Sequence, residues 1–291
     1  MEQRKLHTST RTQQLERERL KPVSKVFSKP LTRFRASDIT EYQKRRLGDG
    51  VSNRTVNMEV RVLRQLLKRA KVWNSVAEDV KMLPESQKPV AKVLTPDKKR
   101  KLFEAAACRD EWLVAYCAAV TAVSTTCRSV ELKNLRWQDV DLDKQNMRIN
   151  RSKTQAGERH LPLNTDAITA FGRLRERAEF VGSTEQERYV FPTCERGQVD
   201  PLKPQVSWRT AWRKLTAEAG LKGFRFHDLR HQAITELAEN GVPDATLMSM
   251  AGHLSRKMLE HYSHVRMDAK RKAVAALQGG LIKSFGPEKV A

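Results

Sequence analysis

Apolar positions along this chain recur mostly every three to four residues, the spacing that lines one face of an α-helix. Ile39, Tyr42 and Leu47 form such a stripe behind Ser37, a suitable N-cap, and the pattern stops at Gly48-Asp49-Gly50. A longer stripe over residues 53–72 comprises Val56, Val60, Leu63, Leu67 and Ala70, with Arg54, Arg61, Arg64, Lys68 and Arg69 on the opposite side. Thr95-Pro96 opens a further helix, with proline at the first helical position, where its missing N–H costs nothing. Leu102, Phe103 and Ala106 supply its apolar face. Residues 112–123 predict an apolar helix that runs into the segment of Arg128. The reading changes to strands only at 147–150 and 160–163, two short segments around S-K-T-Q-A-G-E with Gly157 at a turn-favouring place. The expected fold class is mainly α with a small β-hairpin, an α+β chain.

The breaks in this pattern set the organisation. Residues 1–34 are basic and show no strong apolar face. They offer at most a short helix over 12–20, and their composition is compatible with partial disorder. Residues 84–93 read as connecting chain, rich in Pro and Lys, with the linker placed at 89–94. A helical module over 35–88 and a larger domain over 95–291 are thereby separated.

Charge then narrows the partner. The 291 residues hold 55 Lys+Arg against 34 Asp+Glu, a formal charge of +21. Residues 1–90 alone carry 21 Lys/Arg against 10 Asp/Glu, so the first third has about twice the charge density of the rest. An excess of this size fits a polyanion, most simply nucleic acid, and the basic side of the 53–72 helix reads either as a solvated face or as a surface for phosphates. Cys108, Cys117, Cys127 and Cys194 show neither C-x-x-C pairing nor zinc-finger spacing, which points to a reduced, cytoplasmic setting. No run of 18 apolar residues is present to span a membrane, and the N-terminus lacks the apolar core of a signal peptide.

Candidate chemistry lies in four places. Thr125 to Leu132 reads T-T-C-R-S-V-E-L, in which Glu131 stands three residues after Arg128 and can orient its guanidinium. Lys153 sits on the tip side of the predicted hairpin. Phe226 to His231 reads F-H-D-L-R-H, which places His227 and Arg230 on one helix face. A-G-H ends at His253, and Tyr262 follows nine residues later within L-E-H-Y-S-H. Arginine forks match phosphate oxygens, histidines move protons or donate hydrogen bonds, and a tyrosine oxygen can attack phosphorus. The set therefore suggests chemistry on a phosphodiester. A competing reading takes H-D-L-R-H as H-D-x-x-H, a variant of a zinc-protease motif, with His227 and His231 as ligands and Asp228 as base. That reading leaves Arg128, Lys153, Arg230 and Tyr262 without a role.

In their order, these motifs resemble the tyrosine recombinases, or phage-type integrases: Arg with Glu and Leu three and four residues on, a hairpin Lys, H-x-x-R, a Gly-His pair, and a Tyr about nine residues later. Arg128, Glu131, Lys153, His227, Arg230, His253 and Tyr262 fill those positions, and S-K-T followed by R-H-L-P-L resembles the family hairpin. Residues 37–73 are similar to the family's DNA-clamping N-terminal module, and the likeness spans roughly 35–265. Three positions depart from the pattern, Thr126 for the family glycine, Val130 for a small residue and Ala251 for leucine, and none removes a reacting group.

The resemblance implies site-specific recombination without metal or other cofactor. Tyr262 would attack a DNA phosphate to give a 3′-phosphotyrosine and a free 5′-hydroxyl. Arg128, Arg230 and His253 would bind the phosphate oxygens, His227 would take the phenolic proton, Lys153 would protonate the leaving oxygen, and Glu131 would orient the site. It also implies double-stranded DNA as partner, a homotetramer on two synapsed duplexes, accessory DNA-bending proteins as further candidates, and a nucleoid-associated protein when bound to DNA. Residues 267–277, with Ala269, Ala273, Val274 and Leu277 on one face, would form a C-terminal assembly helix. A type IB topoisomerase-like enzyme and a non-catalytic DNA-binding protein are the remaining alternatives.

Overall fold

The structure, a computed structural model, describes residues 8–27, 33–85, 92–150 and 158–252, together with Leu6, Pro30, Arg271 and Val274. The chain divides into two compact units, residues 1–89 and 90–291.

The first unit contains three α-helices among the described residues, α1 (Thr10–Val26), α2 (Ala36–Gly48) and α3 (Asn53–Arg69). Val56, Val60, Leu63 and Leu67 of α3 are buried with Ile39 and Tyr42 of α2, and Ala70 caps α3 at partial exposure. Three features differ from the sequence expectation. Helix α1 is longer than residues 12–20; it packs on α3 and buries Val23 in the same core. A single apolar turn near its C-terminal end was enough to dock it, although most of its surface is polar. Helix α2 begins behind Arg35 rather than Ser37, because the Asp38 carboxylate accepts the Arg35 main-chain N–H at 2.7 Å. Leu47 is exposed, since five residues beyond Tyr42 it has turned about 140° from the buried stripe, where Gln43 lies instead and donates to the Lys81 carbonyl. Beneath the stripe, Tyr42 donates to Glu59 at 2.7 Å and Arg46 forks onto the same carboxylate at 2.8 and 3.0 Å, so the buried charge is paired. Arg54, Arg61, Arg64, Lys68 and Arg69 are all exposed along α3.

The second unit is built around α5 (Leu113–Thr125), preceded by α4 (Pro96–Ala107) with Thr95 as its N-cap. Alanines 115, 118, 119 and 122 of α5 are buried, and their small size lets flanking helices approach closely. Then follow α6 (Ser129–Lys133), a three-stranded antiparallel sheet of β1 (Val140–Asp141), β2 (Asn146–Ile149) and β3 (Arg159–Pro162), and α7 (Thr165–Phe180). Strand β2 faces β3 with Met147 opposite Leu161 and Ile149 opposite Arg159. A second hairpin, β4 (Pro192–Glu195) with β5 (Gln198–Pro204), leads to α8 (Arg209–Glu218), α9 (Asp228–Glu239) and α10 (Asp244–Ala251). That hairpin was not anticipated. Its turn, Arg196-Gly197, has both residues at positive φ (52° and 82°), and the Gly was the legible signal for it. Helix α5 is flanked by α7 and α9, so its C-terminal end and the start of α9 come together at one site. No helix among the described residues is long and apolar enough to cross a membrane.

Candidate active site

The last residue of α5 is followed by Thr126, whose φ of 59° ends the helix in a left-handed turn. A β-branched residue is strained there, and the side chain offsets the cost by donating from Oγ1 to the Met250 carbonyl at 3.1 Å. The turn presents Arg128 as N-cap of α6, with Glu131 at the third helical position reaching back to its main-chain N–H at 2.8 Å. The other Glu131 oxygen accepts from the Arg128 guanidinium, also at 2.8 Å. Val130, one of the departures from the family pattern, points outward and leaves this packing untouched.

On the far side of Glu131 stands Arg159 of β3. Its guanidinium donates to the two carboxylate oxygens at 2.8 and 3.2 Å, and its Nε donates to the Met250 carbonyl at 2.7 Å. Burial works to raise the Glu131 carboxyl, but the hydrogen bonds and charges of Arg159 and Arg128 outweigh it and hold the group below the usual carboxylate range. Glu131 therefore remains an anion although its side chain is only 6 % exposed.

Helix α9 supplies His227 and Arg230. Phe226 anchors its start, stacked on Trp208 at 4.8 Å and edge-on to Trp212 at 5.1 Å. His227 is the N-cap residue, and Asp228 behind it is wholly buried and clamped by the Arg225 guanidinium, the shortest contact being 2.6 Å. Arg230 is 4 % exposed. One arm of its fork donates to the Thr126 carbonyl and the other to the Ala251 carbonyl at 2.7 Å, so it ties the turn before Arg128 to the end of α10. Burial, then the repulsion of Arg128, lowers its pKa to about 10, which leaves it a cation at neutral pH. Burial and the Arg230 charge likewise hold the His227 imidazole below the ordinary histidine value, against the opposing pull of Asp228. Cys127, enclosed between these groups, has its thiol raised by burial to about 11 and stays protonated.

Gly252 closes the constellation. Its φ is +64°, and a Cβ there would lie 3.2 Å from the Arg159 guanidinium and 3.5 Å from that of Arg128. The glycine of A-G-H thus lets the main chain pass directly against both arginines.

The structure therefore brings Arg128, Glu131, His227 and Arg230 together from two separate stretches of sequence. Lys153, His253 and Tyr262 lie outside the described residues, as does the helix expected over 267–277 except for Arg271 and Val274. Arg159 and Thr126 were not expected as parts of the site. Arg159 had a legible signal, because it shares a strand face with the buried Leu161 two residues on, and an inward arginine needs an anion. As for the zinc-motif reading, the His227 and His231 rings stand edge to face at 5.1 Å while the Asp228 carboxylate is engaged by Arg225. Among the described residues no three His, Cys, Asp or Glu side chains gather as a metal site.

Comparison with known proteins agrees with this geometry. Residues 92–269 match the phage integrase family. The integrase of Salmonella phage P22 is 30% identical over 196 residues, which cover 64% of this chain and 49% of that protein. The shufflon-specific DNA recombinase of Escherichia coli is 26% identical over 239 residues, 78% of this chain and 57% of the relative. The chain thus spans about half the length of these curated relatives. Among solved structures, the Tn1549 transposon integrase in complex with circular intermediate DNA superposes with a TM-score of 0.74 at 22% identity, covering 94% of this chain and 96% of that one, which establishes the shared fold. With the match extending over most of the second unit and the arginine–histidine constellation in place within it, this chain belongs to the phage integrase family, the tyrosine recombinases.

Proposed function

We propose that the chain is a site-specific DNA recombinase that cuts and rejoins strands through Tyr262. The observation that carries this reading is the pair of cationic forks, Arg128 and Arg230, fixed at one place by a carboxylate and by two main-chain carbonyls. Such a preorganised pair suits the charge that builds on the non-bridging oxygens of a pentacoordinate phosphorus. The Tyr262 oxygen forms a bond to phosphorus and the bond to the 5′-oxygen breaks. His227 accepts the phenolic proton, Lys153 supplies a proton to the leaving 5′-oxygen, and His253 donates to a phosphate oxygen. Attack by the 5′-hydroxyl of a partner strand reverses the step, so one ester is exchanged for another and no external energy source is consumed.

The test is a duplex nicked next to the scissile phosphate and carrying candidate sites from the genetic element that encodes the chain. The expected product is a covalent protein–DNA adduct that forms in excess EDTA, since no step calls for a metal. A chain that relaxes supercoiled DNA at many sites, yet exchanges no strands, would instead be a topoisomerase.

The pH dependence of that cleavage follows from His227. As a base it acts in the neutral form, and its depressed pKa keeps it neutral to lower pH than an ordinary histidine. Cleavage should therefore hold its rate as the pH falls through about 6.5 and decline only below it. A midpoint of the acid limb above that value would remove His227 from the role of base.

DNA recognition is assigned to the exposed basic side of α3, and assembly into a tetramer on two duplexes to residues 266–291. The second unit carries a groove of about 1070 Å³ whose wall combines Phe103, Tyr116, Val120 and Val123 with the charged Lys99, Arg173 and Glu236, a mixed surface on which a short amphipathic helix can seat. Deleting residues 266–291 is expected to leave single-site binding in gel shifts nearly intact while abolishing recombination. Normal recombination by the truncated chain would show the tail to be dispensable.

A further inference from the structure

The geometry points to Arg159 as a positioning residue for strand cleavage, one that holds Arg128 in place through their shared carboxylate; the inference rests on the recombinase reading above. Glu131 is a hub with four donors. Its Oε1 accepts from the guanidinia of Arg128 at 2.8 Å and Arg159 at 3.2 Å, and its Oε2 accepts from the Arg128 main chain and Arg159, both at 2.8 Å. Both side chains of the inner pair are nearly sealed from solvent, Glu131 at 6 % and Arg159 at 7 %, whereas Arg128 is 26 % exposed toward the site. The buried pair therefore forms a rigid mount and Arg128 is the group mounted on it. Without Arg159, Glu131 would hold a buried charge with Arg128 as the one cation still hydrogen-bonded to it among the described residues. The stronger attraction would draw the Arg128 fork inward and spend on the carboxylate the charge meant for a phosphate.

Arg159 also binds the Met250 carbonyl, just ahead of Gly252 and His253. That carbonyl has a second donor in Thr126, so it stays anchored when Arg159 is lost. The consequence of losing Arg159 thus runs mainly through Arg128.

The full chain carrying Arg159→Met is compared with wild type on the nicked duplex, once with the natural scissile phosphate and once with a methylphosphonate there, which lacks one negative oxygen. We expect cleavage of the phosphate to slow by about 100-fold, the scale of losing one transition-state donor, with gel-shift affinity within about twofold. On the methylphosphonate, where less charge needs neutralising, the defect should shrink to below about fivefold. Added to Arg128→Ala, the same change should cost less than about threefold, because no mounted arginine is left to misplace. An undiminished defect in either setting would mean that Arg159 supports the fold at large and would overturn the assignment, as would unaltered cleavage by Arg159→Met. If the methionine variant does not melt cooperatively, Arg159→Lys is read in the same way; its single ammonium cannot bridge both Glu131 oxygens as the guanidinium does, so a loss of about tenfold, absent in the Arg128→Ala background, is expected. A wild-type chain that forms no adduct on any site would defeat the recombinase reading itself, whereas an active wild type with an indifferent Arg159 defeats this inference alone.

Discussion

Tyr262→Phe is expected to abolish the covalent protein–DNA adduct while leaving DNA binding unchanged. The substitution removes one oxygen and nothing else. At pH 7 only about one free phenol in a thousand is ionised, so a tyrosine becomes a nucleophile only beside a base and a positive surround. Tyr262 is flanked by His261, Ser263 and His264 and follows His253 by nine residues. The other three tyrosines are committed elsewhere. Tyr42 is buried in the first unit, its hydroxyl bonded to Glu59 and its phenol pushed well above the usual range by burial and that carboxylate. Tyr116 stands edge-on to Phe103 in the groove wall, and Tyr189 is buried beneath the Arg136 guanidinium at 5.0 Å. The measurement is a denaturing gel of protein with nicked site DNA. A shifted band that persists in the phenylalanine variant would reassign the nucleophile.

Arg230→Lys is expected to be nearly as damaging as Arg230→Ala, despite the retained charge. The guanidinium bridges two carbonyls, those of Thr126 and Ala251, which belong to the segments leading into Arg128 and His253. A lysine ammonium, a single point charge with a shorter reach than the two-armed guanidinium, cannot span both and still face a phosphate. One carbonyl would lose its charged donor while buried, costing about 1–3 kcal/mol of stability, and cleavage should fall by about 10²–10³-fold. Urea unfolding and single-turnover cleavage measure the two separately. A lysine variant within about tenfold of wild type would show that charge alone suffices at this position and that the planar fork is not required.

These effects can be argued because much of the site was legible beforehand. Arg128 with Glu131, and His227 with Arg230, were readable from spacing of three residues, since that spacing fixes adjacency on a helix whatever surrounds it. The stripes of α3 and α4 were readable for the same reason, and so was the β2–β3 pairing. What escaped were features that depend on distant chain. The N-terminal helix α1 looked polar because one docked turn around Val23 decides its place. Thr126 looked like a small departure from a glycine pattern. In the fold it adopts the left-handed turn a glycine would take, and its hydroxyl and carbonyl hold Met250 and Arg230. Ala251, another departure, contributes its carbonyl rather than its side chain, so replacing a leucine there costs the Arg230 contact nothing.

By itself, then, the sequence determined which groups are present, in what order, and which of them share a helix face, because local geometry propagates over one or two turns with fixed periodicity. Only the tertiary structure decided that β3 lies against the α6 turn and the end of α10, which makes Arg159 a second owner of the Glu131 carboxylate and places Gly252 against two guanidinia. The physical reason is that a buried ion pair between residues 28 positions apart exists only when separate elements exclude water around it, and no spacing rule encodes that closure.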